Sequence, residues 1–213
     1  MPIYNDPLSD YIVQHFARED PAIRRAREKS PERGLPAISV LPEEGRFLQV
    51  LASACQARKA VEIGTLGGYS GIWIARGLVA GGRLYTLEKS EKHARVAREH
   101  FDEAGVGERV EIVIGNAHQS LKKLRPLGPF DFVFIDAEKS GYNAYYDWAV
   151  TNVRIGGIIT AHNMFRNGNV LNPGADEDVA TIDALNRRAA YDPRVVSTIY
   201  PAGDGSLVAV RIS

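Results

Sequence analysis

The feature that most constrains this chain is Lys59-Ala60-Val61-Glu62-Ile63-Gly64 followed by Thr65-Leu66-Gly67-Gly68-Tyr69-Ser70-Gly71. A short apolar run ends at a glycine, the backbone passes through two more glycines, and an apolar helical pattern begins. This is how a buried strand of an α/β sheet hands over to a helix beside a ligand crevice. The glycine spacing selects the ligand. A dinucleotide fingerprint places glycine at the first, third and sixth positions. Counted from Gly64, the third and sixth positions hold Leu66 and Tyr69. The turn that hugs a pyrophosphate is missing. Glu62 stands just before Gly64, and Glu88 closes the next apolar run. This pattern suits a ligand with an amine and a ribose.

From Gly45 onward the chain alternates helical and strand patterns. Pro42-Glu43-Glu44 starts a helix with acid in its first turn, and Phe47, Leu48, Val50, Leu51 and Ala54 form its apolar stripe. Strands are expected at 60–63, 83–88, 110–114, 131–136 and 157–161, with helices at 69–78, 91–104 and 176–190. The strands are short and apolar, as parallel strands buried on both faces are. Residues 195–200 and 206–211 flank a Gly-Asp-Gly turn, so they form an antiparallel hairpin added to the sheet. The first forty residues differ in character, with short amphipathic helices around 11–16 and 22–27 that cover a sheet edge or a subunit interface. The whole chain, 1–213, reads as a single α/β domain with that extension.

In open α/β sheets the ligand lies outside the carboxyl ends of the strands. Those ends carry Glu62 and Gly64, Glu88, Gly115-Asn116-Ala117-His118, Asp136 with Lys139, and His162-Asn163. Each has a structural use as well: Glu62 ties a loop, Glu88 is a solvated strand end, Asp136 caps a turn, Lys139 lies on the surface, Asn163 forms a turn. Their coincidence on one rim argues for a site. If the fourth and fifth strands are neighbours, their ends lie about 4.8 Å apart. Asp136 and His162-Asn163 then converge, and a carboxylate, an imidazole and an amide oxygen make an open metal site. His15, His93 and His100 read as surface residues.

Composition narrows the partners. Lysine plus arginine equals aspartate plus glutamate, 26 each, so no global field draws the chain to nucleic acid or an anionic membrane. Cys55 is alone and excludes an internal disulfide. Charges and prolines break the first thirty residues, and no apolar run is long enough to span a bilayer. The expectation is a cytoplasmic protein.

Together these residues resemble the class I S-adenosylmethionine-dependent O-methyltransferases of the catechol and caffeoyl-coenzyme A type. The resemblance runs from Ile38-Ser39-Val40 and Pro42-Glu43-Glu44-Gly45-Arg46-Phe47-Leu48 through Val61-Glu62-Ile63-Gly64 and Gly68-Tyr69-Ser70. It continues through Glu88, Gly115-Asn116-Ala117, Phe134-Ile135-Asp136-Ala137-Glu138-Lys139, Tyr142 and Gly156-Gly157 to His162-Asn163. It implies a Rossmann-like, mostly parallel seven-stranded sheet with a C-terminal antiparallel hairpin and helices on both faces. It implies that Val40, Glu62, Gly64, Thr65, Ser70, Glu88, Ala117 and Asp136 bind S-adenosylmethionine, with Glu88 on the ribose hydroxyls. It implies that Asp136, His162 and Asn163 hold a divalent metal and that Lys139 is the general base. The acceptor would be a hydroxyl of a small catechol-like or vicinal-diol aromatic compound, and the assembly a homodimer through the N-terminal helices. The family places Asp-Asn where this chain has His162-Asn163, and Asp where it has Glu138. Imidazole for carboxylate removes a negative charge and shifts preference from Mg²⁺ toward Mn²⁺ or another transition metal.

Two other functions remain open at this level. One is methylation of a hydroxylated nucleoside in tRNA, which a basic face around Arg24, Arg25, Arg27 and Lys29 would support. The other is a non-catalytic S-adenosylmethionine-binding protein in which His162 marks a lost metal site. Residues 165–174 and the loop around Leu35, Pro36 and Ala37 are candidate lids.

Overall fold

The computed structural model describes residues 4–213. Helices α1 (Asp6–His15), α2 (Pro21–Glu32) and α3 (Pro42–Ala54) precede the sheet. The chain then runs through β1 (Lys59–Ile63), α4 (Tyr69–Gly77), β2 (Arg83–Glu88), α5 (Glu91–Glu103) and β3 (Val110–Ile114). The second half comprises α6 (Ala117–Leu124), β4 (Phe130–Ile135), α7 (Tyr142–Asn152), β5 (Val153–His162), α8 (Glu177–Tyr191), β6 (Val195–Tyr200) and β7 (Ser206–Arg211).

Helix starts follow from local chemistry. The side chains of Asn5, Asp20, Ser90, Asn116 and Asp176 each accept a backbone N–H in the first turn of α1, α2, α5, α6 and α8. At α3 no side chain fills that role at Leu41; instead the Glu44 carboxylate reaches back to the Leu41 N–H at 2.8 Å.

The seven strands lie in the order β3-β2-β1-β4-β5-β7-β6. The first five are parallel, and β7 runs antiparallel to both β5 and β6. Side-chain alternation divides the core. On one face Val61, Ile63, Val133 and Ile135 pack with Tyr142, Tyr145 and Tyr146 of α7 and Ile182 and Leu185 of α8. On the other, Ala60, Leu84, Phe132 and Phe134 pack with α3, α4 and α5 through Leu48, Ile72, Trp73 and Phe101. Phe132 is fully buried, so its truncation to alanine removes on the order of 3–5 kcal/mol.

The architecture agrees with the α/β expectation, with local differences. Strand β5 begins at Val153, not Gly157. Its pairing with β4 is irregular between Phe130 and Phe132, across Gly156 at φ 76°, and the apolar run predicted as the strand is the part after that bulge. Helices α6 and α7 lie between the predicted strands where no helix is expected; in α7 the clustered aromatics show no clean helical stripe. The added hairpin enters the sheet second strand first, so β7 and not β6 borders β5. Among the described residues no helix is long and apolar enough to cross a membrane.

Candidate active site

Strand register brings the predicted residues together. Ile63 pairs with Ile135, and Ile135 with Ala161, so the next residues, Gly64, Asp136 and His162, emerge side by side at the carboxyl edge. Ile63 also pairs with Leu87, which puts Glu88 on the same rim. A cavity of about 880 Å³ opens there, within the size of small-molecule sites. Val40, Gly64, Thr65, Ser70, Glu88, Ala117, Asp136, Lys139, His162 and Asn163 all line it.

Gly64 is required by geometry. Its φ is +101°, and a Cβ there would run into the backbone carbonyl of Asp136. Glu88 secures the glycine turn: one carboxylate oxygen accepts the Leu66 N–H and the other the Ser90 N–H, both at 2.9 Å. Each oxygen keeps a lone pair for a ligand hydroxyl.

Glu62 departs from the expected place. It is fully buried behind the turn and absent from the cavity lining. Its two oxygens accept the hydroxyls of Ser70 and Thr86, each at 2.6 Å. Burial pushes its carboxyl up to about 7 against those two hydrogen bonds. The reason is strand alternation: Glu62 points into the face between β1 and α4, and the turn after Gly64 carries the lining.

Two histidines expected on the surface lie inward. His100 is buried, its Nδ1 2.8 Å from the Gly67 carbonyl, so α5 braces the glycine turn. His93 lines the cavity with Nδ1 3.6 Å from Glu88. His15 is exposed as expected. Leu35 is buried and packs near Gly67, which leaves Ile38 to face the cavity from that loop.

Across the cavity lies a chain of charged groups. Lys139 Nζ is 3.4 Å from Asp136 Oδ1, 3.2 Å from the Ala137 carbonyl and 2.5 Å from the Tyr142 hydroxyl. Burial lowers the Lys139 ammonium below the usual lysine value, against the opposing pull of Asp136. Asp136 Oδ2 lies 3.5 Å from His162 Nδ1, and His162 Nε2 lies 2.9 Å from Glu44 Oε1. Burial opposes the charged ring of His162, but its bonds to Asp136 and Glu44 prevail and carry it up to about 10. Burial likewise raises the Asp136 carboxyl, and the His162 and Lys139 contacts outweigh it and hold it low. Glu44, read from the sequence as first-turn acid, is the partner missed: it lies 118 positions from His162.

The O-methyltransferase family model matches residues 13–212. The chain belongs to the O-methyltransferase family. The catechol O-methyltransferase of Niastella koreensis is 45% identical over 174 residues, covering 81% of this chain and 79% of that protein. The catechol O-methyltransferase of Mycobacterium tuberculosis is 42% identical over 212 residues, covering 97% and 96%. Among solved structures, the O-methyltransferase from Bacillus cereus in complex with SAH superposes with a TM-score of 0.90 at 38% identity, covering 96% of this chain and 97% of that one. The O-methyltransferase TomG from Streptomyces achromogenes, in complex with SAM, gives 0.91 at 34% identity over 98% and 97%. This O-methyltransferase is therefore an enzyme of the Rossmann-like class I methyltransferase fold.

Within this O-methyltransferase the donor set lies where the resemblance implies a divalent cation: Asp136 Oδ2 and His162 Nδ1 face each other at 3.5 Å, and Asn163 lines the same cavity. The other ring nitrogen of His162 faces Glu44, as the outer nitrogen of a metal-binding imidazole commonly faces a carboxylate. Asn163, at φ 63°, sends its amide N–H to Asp204 at 3.1 Å, which leaves its amide oxygen as a donor. Among the described residues no group of three or more His, Cys, Asp and Glu side chains is disposed to hold a metal ion, so a site here needs that amide oxygen as its third donor. In the basic face considered for tRNA, three of the four residues pair with acids: Arg25 with Glu103 at 3.0 Å, Arg27 with Glu19 at 2.7 Å and Lys29 with Glu32 at 2.8 Å.

Proposed function

We propose that this enzyme transfers the methyl group of S-adenosylmethionine to one hydroxyl of a small catechol-type acceptor, with Lys139 as general base. One observation carries the reading: a ribose-compatible turn, Gly64 with Glu88, and a lysine–carboxylate pair, Lys139 with Asp136, open into one cavity. The relatives named catechol O-methyltransferase and the neighbours with bound SAH and SAM support it.

The cavity lining fits the methyl donor. Glu88 would hold the ribose hydroxyls, with Val40, Gly64, Thr65, Ser70 and Ala117 around the donor and Asp136 near its amine. When bound, the donor supplies a sulfonium-activated methyl: the acceptor oxygen bonds the methyl carbon and the carbon–sulfur pair returns to sulfur. The residues must manage the acceptor proton. A phenol has a pKa of about 10, so ionising it at pH 7 costs roughly 4 kcal/mol. Lys139, when neutral, takes that proton on Nζ, and its burial favours the neutral amine. The Ala137 carbonyl and the Tyr142 hydroxyl hold Nζ in place for the transfer. A divalent ion, when bound, would be held by Asp136, His162 and Asn163 and would supply Lewis-acid stabilisation to the acceptor oxygen.

Incubation of the purified enzyme with S-adenosylmethionine and 3,4-dihydroxybenzoate or catechol, followed by mass spectrometry, is expected to show a monomethylated product. No mass gain with either acceptor would overturn the acceptor class.

The N-terminal extension supports a homodimer. Helix α1 has no buried residue, and Tyr11 and the following Phe16 are 55% and 63% exposed, an apolar strip that a second copy would cover. Light scattering is expected to give twice the chain mass.

A further inference from the structure

Arg166, in the segment 165–174 expected as a lid, lines the cavity, and neither the methyl donor nor the proton transfer described above uses it. Its backbone is firmly held. Arg166 and Asn167 are consecutive non-glycine residues in the left-handed region, at φ +49° and +54°. Asp204 fixes both: its carbonyl accepts the Phe165 N–H at 2.9 Å and its carboxylate the Asn167 N–H at 2.6 Å. Such a conformation persists only where the surroundings over-determine it, so the loop holds the arginine at the cavity.

The side chain is mostly buried yet under-used. A guanidinium carries five N–H donors. Among the described residues only Nη2 has a partner, Asp178 Oδ2 at 3.3 Å, which is long for a charge-assisted bond. Nε is buried without an acceptor. The Arg166 side chain is 26% exposed and that of Asp178 49%, so Asp178 can turn to water while the cation stays beside the cavity. The charges around Lys139 are matched: Lys139 lies against Asp136, and Glu138 takes the Tyr145 hydroxyl. Position also separates Arg166 from the methyl donor. In the sheet, β4 stands between β1 and β5. Gly64 and Glu88 stand at the ends of β1 and β2, whereas Arg166 follows β5 and pairs with α8, which packs on the turn that carries Lys139.

We propose, on the acceptor reading above, that Arg166 takes a carboxylate carried on the acceptor ring, so that this enzyme selects dihydroxybenzoate-like acids over neutral catechols. The chemistry matches on both sides. The planar guanidinium fork receives a carboxylate through two parallel N–H···O bonds. A neutral catechol leaves the guanidinium with Asp178 alone. Anchoring the ring at its carboxylate end also limits how its hydroxyls can approach Lys139, which favours one reactive pose.

The test is calorimetric titration of the SAH-loaded wild-type enzyme, with Mg²⁺ in the buffer, by 3,4-dihydroxybenzoate and by its neutral amide. The acid is expected to bind about tenfold more tightly, the lower end for hydrogen bonds to a charged group. In Arg166→Gln that ratio is expected to fall to about one, and in turnover the loss is expected in KM for the acid rather than in kcat. Comparing the ratio between wild type and variant cancels the difference in phenol acidity between the two compounds. Equal binding of acid and amide by the wild type, or a ratio that survives in Arg166→Gln, would overturn the proposal. So would a loss of SAH affinity in Arg166→Gln as large as the loss for the acid, which would assign the guanidinium to the donor's carboxylate. Should Arg166→Gln not fold, Arg166→Lys takes its place: it keeps the charge, loses the fork and is expected to narrow the ratio, and an unchanged ratio would overturn the proposal equally. An enzyme that methylates no catechol fails the acceptor reading, and the calorimetric ratio still decides whether Arg166 selects a carboxylate.

Discussion

His162 Nε2 lies 2.9 Å from Glu44 Oε1, joining the carboxyl end of β5 to the first turn of α3. Glu44 thereby does two jobs at once, since its other oxygen satisfies the Leu41 N–H that opens the helix. Removing it leaves a buried charged ring with one partner and a helix end without its cap. Glu44→Ala is expected to lower folding stability by about 3 kcal/mol, measured by urea unfolding. A loss below about 0.5 kcal/mol, the range of an ordinary surface change, would show that the contact carries little.

Lys139 stands where it can take a proton, and its bonds run to Asp136, Ala137 and Tyr142 rather than to the glycine turn. Lys139→Ala is expected to lower kcat by about 10²- to 10⁴-fold while calorimetric binding of S-adenosylmethionine survives. A variant that turns over catechol at the wild-type rate would remove the base from Lys139.

Gly64 cannot carry a side chain without moving the Asp136 backbone, and its φ of +101° is closed to other residues without strain. Gly64→Ala is expected to abolish cofactor binding in calorimetry and to lower the melting temperature. Wild-type affinity in a folded variant would mean that the turn and the end of β4 need not meet this closely.

Glu62 should make stability depend on pH. In the folded chain its carboxyl is raised to about 7 from an ordinary value of 4.5, so the native state keeps a proton that the unfolded chain loses. Its contribution is fully present below about 4.5 and is lost as pH rises to about 7. Unfolding free energies measured across that window are expected to fall more steeply for wild type than for Glu62→Gln, which keeps the shape but cannot ionise. Parallel curves would place the titration elsewhere.

The sheet was legible because its strands are short apolar runs ended by glycine or acid, and the rim residues followed because register aligns strand ends. What local pattern could not show is pairing across the chain. His162 was visible as an oddity, but its partner Glu44 carried an ordinary helix-start signal 118 positions away. His100 looked like a polar surface residue; only the packing of α5 on the turn turns it toward the Gly67 carbonyl. Glu62 was placed correctly in sequence and wrongly in space, since the alternation of β1 aims it behind the turn that lines the cavity. Helix α7 escaped notice because Tyr142, Tyr145 and Tyr146 are buried for packing and blur the helical period.

The placement of β7 beside β5 bears on how the enzyme is made. His162 pairs with Ser206 across that ladder, and the backbone N–H groups of Met164 and Phe165 bond to the carbonyls of Gly205 and Asp204. The five parallel strands pair with one another without β7, but the backbone after His162 is fixed only where β7 lies beside it. Completion of the catalytic edge therefore depends on a strand that follows all the rim residues in the chain.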